Sequence, residues 1–174
     1  MNNVILIGMP GCGKSSAGVL LAKTLEKDFV DTDLLIQKCE GMSLQEIIDK
    51  RGTAYFRDVE DTVLMNFDGD NYVVATGGSA VYCHTAMEKF RHDGDTIVYI
   101  KVSKPEIVKR LSNIKTRGVT LAPGQTIEDL YNERIPLYEK EADITVETEG
   151  LELEGTVTKI AESLADQKRT DQEY

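Results

Sequence analysis

One eight-residue segment near the start of the chain matches the phosphate-binding pattern G-x-x-x-x-G-K-[ST] at every fixed position: Gly8-Met9-Pro10-Gly11-Cys12-Gly13-Lys14-Ser15. It follows a short apolar run and precedes an apolar helical pattern, the context in which backbone N–H groups surround phosphate oxygens. The lysine can reach the β- and γ-phosphates of a nucleotide, and the serine hydroxyl can bind Mg²⁺. The segment therefore predicts a nucleotide site made of Gly11, Cys12, Gly13, Lys14, Ser15 and Ser16.

Two carboxylates follow the end of another apolar strand pattern, in Asp31-Thr32-Asp33. Ligands of open α/β sheets bind beyond the carboxyl ends of the strands, so these carboxylates could serve Mg²⁺ and a substrate hydroxyl. The alternative is a helix N-cap formed by Asp31 or Thr32. The two interpretations are compatible with each other.

Arg57 and Glu60 are three residues apart on a predicted helix and therefore share a face. They could form a surface ion pair of little energetic value. Alternatively, Glu60 could hold Arg57 so that its planar fork takes a carboxylate in two hydrogen bonds.

A further buried strand pattern, residues 72–76, ends in Gly77-Gly78. Such glycines serve either a plain turn or the close approach of a ligand to the backbone. Arg134 lies in another predicted helix, in the run Glu133-Arg134-Ile135-Pro136-Leu137-Tyr138. Taken alone, it would be a solvated helix arginine rather than a ligand.

Strand and helix patterns alternate along the chain and predict an α/β fold, a parallel sheet covered on both faces. The predicted strands are 3–7, 29–31, 72–76, 96–102 and 143–147; the predicted helices are 14–26, 33–39, 44–51, 54–67, 84–92, 104–112, 126–140 and 154–165. Ser43 with Glu46, Ser103 with Glu106 and Thr126 with Asp129 resemble capping boxes. One domain should span residues 1–165, with a mobile loop at about 113–124 and a disordered tail at 166–174.

Bulk composition narrows the class of protein. The 174 residues carry a net charge of −10, which argues against a nucleic-acid partner. No apolar run reaches membrane-spanning length, and no basic-then-apolar leader pattern opens the chain. The three cysteines show no metal-binding spacing. These observations predict a cytoplasmic protein with reduced thiols and no membrane partner.

Together the motifs resemble the shikimate kinase family. The matching segments are the phosphate-binding loop GMPGCGKS, the DTD of 31–33, the FR-x-x-E of 56–60, the GG of 77–78 and the ER-x-PLY-x-x-x-AD of 133–143. The resemblance implies a three-layer αβα P-loop fold with a five-stranded parallel sheet and a mobile lid. It also implies a monomeric enzyme that uses ATP and Mg²⁺ to phosphorylate the 3-hydroxyl of shikimate, on the pathway to chorismate and the aromatic amino acids.

The resemblance also implies a role for single residues. Lys14, Asp33 and Arg117 would be catalytic, and Arg110 and Arg117 would join the nucleotide site, with Arg117 on the lid. Glu60 would support Arg57. Ser15 would bind Mg²⁺, with Asp31 contributing directly or through a water. The acceptor site would comprise Asp33, Arg57, Gly77, Gly78, Ser79 and Arg134.

The chain departs from the family pattern at two positions. Ser79 stands where the family usually has a third glycine, and Gly118 stands where the lid usually has proline. Two other functions remain open at this point. One is a P-loop kinase for another small hydroxy acid, such as gluconate, or for a nucleotide. The other is a regulatory module that binds nucleotide without catalysis.

Overall fold

Five parallel strands form one sheet in the order β2-β3-β1-β4-β5. The structure, a computed structural model, describes residues 2–112 and 119–172. The strands are β1 (Val4–Ile7), β2 (Asp28–Asp31), β3 (Tyr72–Ala75), β4 (Thr96–Lys101) and β5 (Ile144–Glu147). Each lies within one residue of its predicted bounds.

Both faces of the sheet are covered. Every residue of β1 is buried, although successive side chains of a strand point to opposite faces. Such strands read as continuous apolar runs, which is why the sequence predicts them well. The prediction of an αβα P-loop fold is confirmed.

Seven α-helices accompany the sheet within the described residues: α1 (Lys14–Thr24), α2 (Thr32–Glu40), α3 (Leu44–Met65), α4 (His84–His92), α5 (Lys104–Ser112), α6 (Ile127–Glu141) and α7 (Leu153–Gln172). A short 3₁₀ turn, Ala80–Tyr82, precedes α4. Capping boxes at Ser43–Glu46 and Thr126–Asp129 begin α3 and α6 as predicted. In the third predicted pair, Ser103 with Glu106, the glutamate accepts a hydrogen bond from Arg110 Nε at 2.7 Å.

Helix α3 joins the two helices predicted at 44–51 and 54–67. Gly52 sits between them with φ 84° and ψ 164°, so the helix kinks there. Glycine can adopt this positive φ because it has no Cβ to clash, which explains the break in the helical pattern.

The predicted disordered tail is wrong over residues 166–172, because α7 continues to Gln172. Val157, Ile160 and Leu164 anchor this helix in the main core. Beyond them, Thr170 Oγ1 donates to Asp166 O at 3.1 Å, and Arg169 lies 3.4 Å from the carboxylate of Asp166. Contacts between near neighbours thus support α7 beyond Leu164.

Two apolar clusters support the fold. The larger one surrounds the sheet. The smaller one joins α2 and α3 through three buried residues, Ile36, Ile47 and Phe56. Across residues 2–112 and 119–172, the helices lack the combination of length and apolarity that crossing a bilayer requires.

Candidate active site

The carboxyl ends of β1, β2 and β3 lie side by side and bring three predicted motifs together. The phosphate-binding loop leaves β1, the two aspartates follow β2, and the paired glycines follow β3. Parallel strands place such ends at one edge of the sheet. A cavity of about 360 Å³ opens at this edge.

The loop has the backbone shape that its glycines predict. Gly11 and Gly13 have φ of 76° and 97°, and Gly13 directly precedes α1. Lys14 is only 7% exposed, and its Nζ donates to Gly8 O at 2.8 Å and to Met9 O at 3.0 Å. Among the described ion pairs no carboxylate neutralises Lys14. Its charge therefore remains available for an anion at the mouth of the loop.

Ser15 and Asp31 are in direct contact. Ser15 Oγ donates to Asp31 Oδ2 at 2.6 Å, while Asp31 Oδ1 accepts from Asp33 N at 3.0 Å and so caps α2. The N-cap interpretation and the functional one thus coexist in Asp31. A hydroxyl beside a carboxylate is a donor set that suits Mg²⁺, which usually takes one or two carboxylates together with phosphates and water. Within the described residues there is no cluster of three or more His, Cys, Asp or Glu side chains for a metal.

Asp33 reaches the cavity from the first turn of α2. Its Oδ1 is buried and has no hydrogen-bond partner within the described residues. Burial, and secondarily the nearby charge of Asp31, raise the pKa of Asp33 to about 6. The nearby Lys14 ammonium works in the opposite direction. The result is a carboxylate that is still largely ionised at neutral pH but more basic than a solvated one.

Glu60 lies behind the glycines and is completely buried. Ser79 Oγ donates to its Oε2 at 2.5 Å, while its Oε1 lacks a partner in the described part of the chain. Burial raises the pKa of Glu60 to about 7, against the lowering effect of the Ser79 hydrogen bond. Among the described ion pairs none joins Glu60 to Arg57, so the predicted support of Arg57 by Glu60 is wrong here. The hydroxyl of Ser79, where the family pattern has glycine, takes that carboxylate instead.

Gly77 and Gly78 have no side chains, so neighbouring side chains can approach their backbone closely. A Cβ on Gly77 would collide with Glu60 Oε1 and lie 2.8 Å from Asp33 Oδ1. A Cβ on Gly78 would lie 2.6 Å from the Pro10 ring and 3.1 Å from Arg134 Nη1. Both glycines line the cavity, so the predicted approach of a ligand to their backbone has room there.

The two arginines predicted for the acceptor site meet around Tyr82. The Cζ atoms of Arg57 and Arg134 lie 4.4 Å and 5.3 Å from the centre of its ring. Arg134 is 1% exposed, lies directly behind Gly78 and donates from Nη2 to Thr120 Oγ1 at 2.9 Å. Arg57 Nε is buried without a partner in the described residues.

Other predicted residues lie at the rim or outside the description. Arg110 contacts the outer side of the loop, with Nη1 3.2 Å from Gly11 O. Cys12 lies beneath the loop, 5% exposed, with Sγ 3.6 Å from Lys14 Nζ. Arg117 and Gly118 fall in residues 113–118, outside the described residues.

The remaining predicted residues line the cavity: Gly11, Gly13, Lys14, Ser15, Ser16 and Ser79 join Asp33 there. Sequence reasoning missed Tyr82, Thr120, Gln37 and Leu44. Gln37 follows Asp33 by one helical turn, which is a usable signal. Tyr82 has none, because its partners come from distant helices.

Comparison with known proteins identifies the family. The shikimate kinase family model matches residues 10–165 of the chain. A relative from Thermodesulfovibrio yellowstonii, named shikimate kinase, is 39% identical over 163 residues, which cover 92% of this chain and 93% of the relative. The chain belongs to the shikimate kinase family. A second family member, from Pseudomonas fluorescens, is 41% identical over 154 residues, 86% of this chain and 88% of its own.

Solved structures of the family agree with the fold. Shikimate kinase from Aquifex aeolicus superposes with a TM-score of 0.82 at 34% identity, covering 95% of this chain and 98% of that one. Shikimate kinase from Acinetobacter baumannii, in complex with shikimate, gives a TM-score of 0.87 at 30% identity over 97% and 95% of the two chains. A sugar kinase from Janibacter superposes with a TM-score of only 0.56 at 14% identity, which shows a common fold alone.

Proposed function

We propose that the chain transfers the γ-phosphate of ATP to the 3-hydroxyl of shikimate, on the pathway to chorismate and the aromatic amino acids. The main support for the proposal is that one cavity is lined both by residues for the nucleotide and by residues for the acceptor. Lys14 and Ser15 line one side, and Asp33 and the Gly77-Gly78 backbone line the other. Family membership supplies the substrates that fit these two sides.

On the nucleotide side, the loop amides and Lys14 bind and orient the phosphates. The transition state of phosphoryl transfer is loose, and catalysis depends on placement and charge stabilisation. Lys14 lines the cavity from a buried position, so its charge acts in a low-dielectric environment. Mg²⁺ would be held by Ser15, with Asp31 contributing directly or through a water. When bound, it neutralises charge on the phosphate oxygens.

On the acceptor side, Asp33 orients the hydroxyl and takes its proton as the oxygen attacks the γ-phosphorus. The new O–P bond forms while the bond to the β-phosphate oxygen breaks, and ADP leaves. A pKa of about 6 makes Asp33 a better base than a solvated carboxylate while keeping it ionised at neutral pH. Its unpartnered Oδ1 is the atom that faces the glycines.

The carboxylate of shikimate would be held by Arg134 and Arg57. Planar guanidinium groups take carboxylates in paired hydrogen bonds, which lysine cannot reproduce. Arg134 lies directly behind the cavity wall at Gly78, and Arg57 shares the Tyr82 ring with it. Ser79 belongs to the same side of the site, where its hydroxyl donates a hydrogen bond to the buried carboxylate of Glu60.

Further assignments belong to the same proposal. Arg110 lies beside Gly11 and would border the adenine. Arg117 would close from a lid over the phosphates. We also propose that the enzyme works as a monomer in the cytoplasm, without nucleic-acid or membrane partners, in keeping with its charge of −10.

A coupled assay for ADP formation tests the proposal with shikimate, gluconate and a nucleoside monophosphate as acceptors. We expect kcat/KM for shikimate to exceed the other values at least a hundredfold. Greater activity on gluconate or a nucleotide would transfer the assignment to another small-molecule kinase. ATP binding without transfer to any acceptor would indicate a regulatory module.

A further inference from the structure

Tyr82 occupies a position that the proposed reaction does not yet use. It ends the 3₁₀ turn after the paired glycines, and its half-buried ring faces two guanidinium groups from different helices. Arg57 belongs to α3, with its Cζ 4.4 Å from the ring centre, and Arg134 belongs to α6, with its Cζ at 5.3 Å. One aromatic ring thus connects two helices that are far apart in sequence.

The two cations share the ring of Tyr82, and the charge of Glu133 lies near enough to attract both of them. The ion pairs of the described residues include neither Arg57 nor Arg134. The carboxylate next in sequence, Glu133, accepts from Tyr82 OH through Oε1 and from Gln125 Nε2 at 2.8 Å through Oε2. Glu133 therefore hydrogen-bonds to the tyrosine and acts on the two guanidinium groups only through space. Thr120 and the tyrosine hydroxyl are the hydrogen-bond partners of Arg134.

An aromatic face suits this position for a physical reason. The negative π face attracts a guanidinium without cancelling its charge or occupying its hydrogen-bond donors. A carboxylate in the same place would bind the arginines itself and compete with an incoming anion. An aliphatic side chain would remove this attraction and leave both guanidinium groups less stabilised in a partly desolvated site.

We propose that Tyr82 is the positioning residue that sets the specificity of the acceptor site for a carboxylate. Its ring contacts both Arg57 and Arg134 and leaves them without a direct ion pair, so an acceptor carboxylate can become their hydrogen-bond partner. The inference rests on the proposed function, because it assigns both arginines to the carboxylate of the acceptor. It adds a residue that touches the arginines and not the substrate.

Tyr82→Leu, Tyr82→Phe and a matched control test the proposal in steady-state kinetics with both substrates varied. The control is Tyr55→Leu, because Tyr55 stacks beneath Arg51 at 4.9 Å outside the cavity lining. We expect Tyr82→Leu to raise KM for shikimate about tenfold, with kcat and KM for ATP changed less than twofold. Tyr82→Phe keeps the ring and should stay within about threefold of the parent in KM for shikimate, and Tyr55→Leu should not change KM.

The methyl ester of shikimate, which lacks the negative charge, provides a second readout. The parent should prefer the acid over the ester, and Tyr82→Leu should lose most of that preference. Tyr82→Met has a longer and more adaptable side chain than leucine and serves the same comparison if the leucine variant fails to fold. An unchanged KM and unchanged acid preference in a folded leucine or methionine variant would overturn the proposal. No shikimate-dependent turnover in the parent would instead refute the function on which it rests.

Discussion

The phosphate half and the acceptor half of the candidate site are built by different means. The phosphate half, residues 8–16 with Asp31, is nearly continuous in sequence and relies on backbone groups. Its lysine and serine have partners in this structure, Gly8 O and Asp31 among them. The acceptor half, Asp33, Arg57, Glu60, Ser79 and Arg134, is assembled from four separate segments of the chain.

Unpaired atoms distinguish the acceptor half most clearly. Asp33 Oδ1, Glu60 Oε1 and Arg57 Nε are all buried without hydrogen-bond partners in the described residues. Buried groups of this kind cost stability, commonly about 1–3 kcal/mol each, and a bound polar ligand can offset that cost. The comparison teaches that the lysine and serine side chains of the phosphate half already have partners, whereas the acceptor half keeps buried side-chain atoms without partners.

The largest effect should come from the phosphate half, in Lys14→Ala. Loss of this charge-assisted contact should lower kcat/KM by about a thousandfold or more, because the contact strengthens in the transition state. Thermal unfolding should change little, since Lys14 Nζ contacts only the loop itself, at two carbonyls and, at 3.6 Å, the Cys12 thiol. Lys23→Ala, at an exposed position of the same helix, is the control and should retain parental turnover. A folded Lys14→Ala enzyme with near-parental turnover would remove the loop from catalysis.

At the boundary between the halves, Gly78→Ala should lower kcat/KM about a hundredfold and stability by about 1–3 kcal/mol. The added Cβ would lie 2.6 Å from Pro10 of the loop and 3.1 Å from Arg134 Nη1, so both halves must shift. Gly155→Ala provides the matched control. Its Cβ would meet Leu151 at ordinary distances of 3.6 and 3.7 Å. Equal behaviour of the two variants would show that the glycine wall is not critical.

Within the acceptor half, Arg134→Lys should raise KM for shikimate about thirtyfold with little effect on KM for ATP. Lysine keeps the charge but loses the planar pair of donors that a carboxylate needs. Arg57→Lys should act in the same direction. Varying both substrates in steady-state kinetics separates the two constants. Equal increases in both KM values would contradict the carboxylate assignment.

The smallest effect should be a pH-dependent gain of stability in Glu60→Gln. The folded protein raises the pKa of Glu60 from 4.5 to about 7, so the folded state binds the proton more tightly than the unfolded one. The stabilisation from that proton is complete below pH 4.5 and is lost as the pH rises through 7. Glutamine does not ionise, so the gain of the variant over the parent should be about 2 kcal/mol larger at pH 8 than at pH 5.

Denaturant unfolding at both pH values measures this difference. Exposed Glu162→Gln serves as the control. A difference between Glu60→Gln and the parent that is the same at pH 5 and pH 8 would show that Glu60 does not titrate in this range.

Local signals explain what the sequence predicts well. The strands, the phosphate-binding loop and two capping boxes depend on residues close in sequence, and each occurs where predicted. The Asp31 cap is likewise a contact between near neighbours.

Distant contacts explain what the sequence does not predict. Spacing places Arg57 and Glu60 on related faces of α3 but cannot reveal that Ser79, from another element, binds Glu60. Tyr82 similarly acquires its role only when α3 and α6 approach the turn between β3 and α4. Helix α7 continues to Gln172 because its earlier residues are buried in the core. The polar sequence of its last turns gives no sign of this.

The small cluster of Ile36, Ile47 and Phe56 has a consequence for local unfolding. It is separate from the core around the sheet, so α2 and α3 share a modest apolar contact of their own. Segments with few buried apolar contacts open with lower free energy than the global transition. Amides of α2 and of the first half of α3 should therefore exchange with deuterium before those of β1 and β4. The part of the chain that carries Asp33 can then adjust without disturbing the sheet beneath it.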